Sequence, residues 1–315
     1  MKRSRLLGLG LSVVLFATGL AACGSDSKST GGSGAGGNGD TVSTGGTDTG
    51  TSADGGTLSV LNDEFGSSAT QSTWSDLAPA RHTTLDIQQS RAGFLTIVPA
   101  PTSFNAWYSD SEGPLYSKTI TGDFVAEISV VLGTATDRTV TPVRANTFSA
   151  AGFVIRDPAS VQFRQRWVMY NIGYQDVAVA REIKTTTPSA GGATASLSTL
   201  YLNNTPSAVN AGLLRVCRIG SLFRFFHRYP SESTWTEEVF RSVGSTPTRI
   251  NGNGPRPAIA DGAPLSFDRP DLPAAVQVGL MAGNFVPDPA GARGEFDYIR
   301  FSSASKPADC LAGNA

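Results

Sequence analysis

The sequence predicts an all-β sandwich of two stacked sheets, and three observations predict it. Helical periodicity is almost absent from Leu58 to Ala315, whereas runs of four to nine β-prone residues recur between turn signals. Gly and Pro punctuate those runs throughout. The region is also long enough for a substantial core, and sandwiches of this size commonly form one domain.

In chain order, Met1-Lys2-Arg3-Ser4-Arg5 is a cationic start, and residues 6–20 are an apolar stretch too short to span a bilayer comfortably. Leu20-Ala21-Ala22-Cys23 closes it. These residues resemble the lipobox of bacterial lipoproteins. The resemblance implies that residues 1–22 are a signal peptide, that Cys23 is lipidated, and that the mature chain is anchored to a membrane of the bacterial cell envelope through Cys23. Gly24 after the cysteine would permit sorting to the outer membrane or cell surface. An ordinary secretory signal with a coincidental cysteine is the alternative.

Residues 24–57 contain 12 Gly, 6 Ser and 7 Thr with a single Val. Such a segment cannot bury enough surface to fold, so residues 23–57 read as a disordered linker holding a 58–315 domain away from the anchor. Net charge is −1, and neither sign runs in blocks, so nucleic acid is not expected as a partner. With Cys23 lipidated, Cys217 and Cys310 remain as an even pair in an oxidising compartment. A disulfide between them would pin the C-terminal tail to the sandwich; two free thiols are the alternative.

The expected strands are 94–98, 115–120, 123–132, 151–156, 166–174, 177–185, 213–219, 222–229, 236–243, 276–282 and 294–301. Gly220-Ser221 between two β-prone runs predicts a two-residue hairpin. In 166–174 one face carries Arg166, Val168, Tyr170, Ile172 and Tyr174, and the other carries Trp167, Met169, Asn171 and Gly173. With apolar residues on both faces, this predicts a central strand. Residues 244–273, with six prolines, read as a long connection without clear strand character.

A family likeness rests on an ordered set of motifs. They begin with Asn62-Asp63-Glu64-Phe65, Trp74, Trp107-Tyr108, Gly113-Pro114-Leu115-Tyr116 and Thr121-Gly122-Asp123-Phe124. Ala151-Gly152-Phe153-Val154-Ile155-Arg156-Asp157, Trp167-Val168-Met169-Tyr170, Phe223-Arg224-Phe225-Phe226, Val278-Gly279-Leu280-Met281 and Glu295-Phe296-Asp297-Tyr298 follow. The set is similar to concanavalin A-like lectin/glucanase domains, in particular the DUF1349 type and the sandwich appended to some xylosidases. What this likeness implies is a concanavalin A-like jelly-roll sandwich of two curved antiparallel sheets whose concave face holds a sugar chain in many relatives, while other relatives are glycoside hydrolases.

Hydrolases of this fold carry a Glu-x-Asp-x-x-Glu strand. Here Glu295-Phe296-Asp297 begins that pattern, but Arg300 stands where the acid/base Glu would fall. Retaining chemistry needs two carboxyls about 5–5.5 Å apart, so the sequence reads as non-catalytic, with a hydrolase using other carboxylates kept as a lesser alternative. Glu237 and Glu238 are adjacent and point to opposite faces, so they read as solvated charges. His82 and His227, the only histidines, have no catalytic or zinc context. No cofactor is required. Pairing of first and last strands could bring Asp63 and Glu64 to Asp297 as oxygen ligands of a structural calcium, or Asp297 could simply bond nearby backbone.

Two function classes remain. One is a lectin-like sandwich binding a polysaccharide, with Trp107, Tyr108, Arg156, Asp157, Arg166, Tyr170, Tyr174 and Arg224 as candidate ligand contacts, because an Arg amid apolar strand residues needs a partner. The other is a structural lipoprotein binding another envelope protein. A cleft lined by exposed aromatics would favour the first, and a flat apolar patch the second.

Overall fold

In a computed structural model of the chain, the residues described are 58–102, 105–142, 148–175, 178–190, 195–205, 210–287 and 291–312. The expected signal peptide, lipidation site at Cys23 and linker, residues 1–57, lie outside them.

The strands are β1 (Ser75–Asp76), β2 (His82–Ile87), β3 (Leu95–Pro99), β4 (Tyr116–Thr121), β5 (Phe124–Thr134), β6 (Phe148–Arg156), β7 (Trp167–Gln175) and β8 (Ala178–Thr187), then β9 (Leu197–Asn204), β10 (Ala211–Ile219), β11 (Leu222–Arg228), β12 (Thr236–Glu237), β13 (Arg249–Gly252), β14 (Ser266–Asp268), β15 (Ala275–Asn284) and β16 (Ala292–Ser303). They form the expected all-β sandwich. One sheet runs β1-β4-β15-β6-β7-β8-β9-β13 and the other β12-β11-β10-β5-β16-β3-β2, with β14 also paired to β11. Every pairing is antiparallel.

Alternation along the strands builds the core. Phe153, Tyr170, Ile183 and Leu280 of the first sheet face Ile128, Val216, Phe225 and Phe296 of the second. β7 lies mid-sheet between β6 and β8, and its second face is buried too, where Trp167 and Met169 join Trp107, Leu115, Val154 and Met281 in a separate outer cluster. The hairpin at Gly220-Ser221 forms as expected, with Ile219 opposite Leu222 and Gly220 at φ +59°, where glycine is favoured.

Several expectations need correction. The 236–243 strand shrinks to β12, because Glu238 turns inward and Val239 makes only a bridge to Pro264. The 244–273 connection contains β13 and β14. β1, β2 and β9 were not expected. β1 and β13 are short strands at the ends of their sheet, and β2 ends the other, so one edge of each lacks a pairing partner to impose a pattern.

Cys217 and Cys310 form a disulfide with Cα atoms 5.5 Å apart. It presses the C-terminal segment onto the outer face of the second sheet, where Val125, Phe226 and Ala304 make a small third cluster around it. At the other terminus of the domain, Asp63 and Ile299 exchange two backbone hydrogen bonds of 2.9 Å, so the first described segment does pair with the last strand.

Candidate functional site

A groove of about 370 Å³ opens on the outer face of the first sheet, within the ~300–1,000 Å³ typical of small-molecule sites. Small residues make room for it. Ala150 on β6 and Gly283 on β15 line its floor. A Cβ on Gly283 would lie 2.5 Å from the Ala106 methyl, and one on Gly173 of β7 would strike the Phe148 ring at 2.1 Å. Loop and ring thus occupy space that side chains would otherwise fill.

The loop at 105–111 forms part of the lining and is held in an unusual backbone path. Asn105, Trp107 and Ser109 all have positive φ, at 50°, 57° and 53°. Non-glycine residues take such angles when surrounding bonds over-determine them. Those bonds are visible: Asn105 N–H donates to the Phe285 carbonyl at 2.9 Å, Ser109 N–H to Ser198 Oγ at 2.8 Å, and Trp107 Nε1 to the Pro114 carbonyl at 3.1 Å. Trp107 is fully buried, edge-on to Trp167 at 5.9 Å. The alternation leaves Tyr108 partly exposed beside the groove, edge-on to Phe285 at 6.3 Å. Phe285 itself is 45% exposed.

Aromatic and thioether surfaces from Tyr108, Phe148, Phe285, Met169 and Met281 surround two charged side chains of β8, Glu182 and Lys184. Lys184 Nζ lies 3.1 Å from Glu182 Oε1, and Asn171 Nδ2 donates to Glu182 Oε2 at 2.7 Å. Lys184 Nζ is also 5.7 Å from the Trp167 ring and 6.0 Å from that of Tyr108. The two charges cancel within the floor. Around the groove two buried amide atoms have no partner among the described residues: Asn171 Oδ1, beside the Glu182 carboxylate, and Nδ2 of Asn284, which lines the groove. The Asn284 oxygen accepts from Ser149 Oγ at 3.0 Å and Ala292 N–H at 2.8 Å, which fixes its amide orientation. Such a surface suits an uncharged ligand with both apolar faces and hydrogen-bonding groups.

Of the ligand contacts expected from the sequence, Tyr108 alone lines this groove. Trp107, Tyr170 and Tyr174 are buried in packed clusters and present no face to a ligand. Arg156 is buried against Glu112 at 2.7 Å and the Gln277 side chain at 3.0 Å. Asp157 accepts from Arg166 at 3.0 Å, so these residues serve a polar network at a strand end. Arg224 is bidentate to Glu237 on the other sheet, 2.7 Å for both bonds. The side chains missed were Glu182, Lys184, Asn171 and Asn284. For Glu182 and Lys184 a signal was present in Arg181-Glu182-Ile183-Lys184, a run that places an acid and a base on one face of a mid-sheet strand.

The proposed calcium ligands do not come together. Asp63 Oδ1 accepts from Phe65 N–H at 2.9 Å and its Oδ2 from Trp74 Nε1 at 2.8 Å. Glu64 is engaged by Arg300 at 2.7 and 2.8 Å, and Asp297 is exposed at a β-bulge. Among the described residues no group of three acidic, His or Cys side chains could hold a metal ion.

Glu238 is not a solvated charge. It is 1% exposed and accepts from Tyr170 Oη at 2.8 Å, Asn203 Nδ2 at 2.7 Å and Arg181 Nε. His227 Nδ1 lies 2.9 Å from its Oε1, without the alignment of a hydrogen bond. Burial raises the Glu238 pKa, but Arg181 and His227 outweigh it and hold the carboxyl well below the usual carboxylate range.

Among solved structures, the chain is similar to a xylan β-1,4-xylosidase from Bacillus halodurans, at 11% identity and a TM-score of 0.46, over 77% of this chain and 39% of that one. It is similar to a GH43B protein from Bacteroides ovatus at 13% identity and 0.46, over 78% and 39%. A functionally unknown protein from Saccharomyces cerevisiae matches at 14% and 0.45, over 75% and 99%. The chain therefore spans well under half the length of the two bacterial proteins. No family model and no curated protein matches the sequence. What the groove can hold is decided by its own side chains.

Proposed function

We propose that the protein is a lipid-anchored envelope protein whose sandwich binds an uncharged carbohydrate chain in this groove without cleaving it. One observation carries the reading: the partly exposed rings of Tyr108, Phe148 and Phe285 lie around a self-neutralised Glu182–Lys184 pair. Pyranose rings offer apolar C–H faces to such surfaces and hydroxyls to nearby amides. The groove's emptiness of net charge disfavours acidic sugars, whose carboxylates would lose water without gaining a free cation. Glu182 is the one carboxylate among the described lining residues. Two-carboxylate hydrolysis needs a partner about 5–5.5 Å away for retention or about 6.5–9.5 Å for inversion, which supports binding over cleavage.

The test is a glycan array probed with the purified protein, with and without calcium, followed by titration of the best ligand. Tyr108→Ala and Phe285→Ala are each expected to weaken binding about tenfold, the scale of one lost aromatic contact. Arg224→Ala, on the opposite sheet, is expected to leave affinity unchanged. Absence of saturable binding to any neutral polysaccharide, or equal affinity in all variants, refutes the reading.

A further inference from the structure

On the outer face of the other sheet, three arginines converge on one carboxylate. Arg91 Nη1 from the turn between β2 and β3 lies 2.6 Å from Glu295 Oε2, and Arg138 Nε from the segment after β5 lies 2.7 Å from the same oxygen. Arg293 Nε on β16 donates to Oε1 at 2.7 Å. Glu295 is 1% exposed, whereas the three arginine side chains are 28%, 38% and 18% exposed. The carboxylate thus forms the buried base of the cluster, and the guanidiniums reach from it toward solvent.

The charges do not balance. Three guanidiniums face one carboxylate, and among the described residues none of the three makes an ion pair with another acid. The nearby acids are occupied elsewhere. Asp86 accepts from Gln89 N–H, Ser90 N–H and Ser90 Oγ, and Asp137 Oδ1 accepts from the Thr139 N–H and hydroxyl. A single guanidinium or two would suffice to satisfy Glu295. The pKa of Glu295 is raised by burial but lowered further by its bonds to Arg91 and Arg293, so it stays ionised.

Each arginine spends one nitrogen on Glu295, and its remaining donors have no protein partner among the described residues. The planes are also held in place: the Arg91 guanidinium lies 3.3 Å over the Phe94 ring, and that of Arg138 is 5.9 Å from the same centroid. Fixed guanidinium forks with spare N–H donors and excess positive charge match a tetrahedral oxyanion. We propose that Arg91, Arg138 and Arg293 form a second binding site, for a phosphate or sulfate group, on the face of the sandwich opposite the groove. Glu295 is its positioning residue: it gathers the three guanidiniums and leaves their outer donors to the anion.

The experiment uses the full protein. Sodium sulfate and inorganic phosphate are titrated calorimetrically and in thermal unfolding, against sodium chloride at matched ionic strength. Saturable binding and a rise in Tm beyond that in chloride are expected for both oxyanions. Arg138→Gln and Arg293→Gln should each weaken binding about tenfold, as loss of a charge-assisted bond predicts. Arg256→Gln, distant in sequence and exposed, should not. Sedimentation of the Cys23→Ser protein, which lacks the proposed anchor, with phosphatidylglycerol or phosphatidylcholine vesicles separates the sources. Retention on the former alone, relieved by sulfate, assigns a lipid headgroup, and no retention assigns a soluble or polymer-borne ester. A selenate soak of crystals of the unmodified protein locates the anion without relying on variants. Equal Tm in sulfate and chloride, variant affinities equal to the parent's, or selenate bound elsewhere but not at this cluster would overturn the proposal.

Discussion

Glu238 shows how far a single residue can depart from its sequence appearance. Adjacent glutamates after Trp235 look like surface charge, and nothing local distinguishes Glu238 from Glu237. Its environment is assembled from distant positions: Tyr170 on β7, Arg181 on β8, Asn203 on β9 and His227 on β11. The energetic consequence has a definite sign. A carboxylate whose folded pKa lies below its ordinary value of 4.5 contributes its stabilisation in full above that value and loses it as pH falls toward the folded pKa. Glu238→Gln should therefore cost about 3–5 kcal/mol at pH 7, the scale of breaking a buried pair. The gap to the parent should narrow as pH drops below the ordinary carboxylate range. Urea unfolding at pH 7 and at low pH measures both. The groove residues carry a similar lesson. Tyr108 was legible because an aromatic pair between turn residues attracts attention, while Asn171 lies in a run dominated by apolar neighbours.

Elements were more legible than residues. Strands with a strong apolar face, such as β5, β7, β10 and β15, follow the alternation closely. β9 escaped notice for a physical reason: Thr199 and Asn203 point inward with Tyr201, while Leu200 and Leu202 line the outer groove, so neither face reads as core. Small residues on these strands are equally easy to overlook, because a missing side chain leaves no pattern. Gly152 on β6 is the clearest case, since a Cβ there would meet the Tyr170 carbonyl at 2.4 Å and Asn171 Cα at 2.5 Å. Both contacts are backbone, which cannot swing away. Gly152→Ala should destabilise by about 1–3 kcal/mol, as overpacking does. It should also disturb Asn171 and so weaken ligand binding. Gly93→Ala, at φ +76° with nothing near its Cβ, should cost only the backbone strain of about 1–2 kcal/mol and leave binding unchanged. Denaturation and ligand titration of the two variants together test this difference.

The domain is fastened at both of its chain termini by contacts between segments far apart in the chain. Cys217 and Cys310 are 93 residues apart, and the cross-link removes a large loop from the unfolded ensemble. Replacing both by Ser should lower unfolding free energy by about 4.6 kcal/mol in the chain-entropy account. Trp235, packed beside the small cluster under the bridge, should then report loosening of the tail by fluorescence. At the other terminus, Asp63 binds Ile299 through two backbone bonds, Asn62 Oδ1 accepts from Phe301 N–H at 2.7 Å, and Glu64 pairs with Arg300. The groove's Asn284 is joined instead to Ala292, at the opposite end of β16. A ligand held there and a pull applied to the chain at Leu58 would act at the two ends of one strand. Bonds between antiparallel strands lie across such a force and are loaded together in shear, rather than peeled open singly. With a ligand in the groove as proposed, the sandwich would act mechanically as a clamp, best able to keep its grip when drawn along the axis of its last strand.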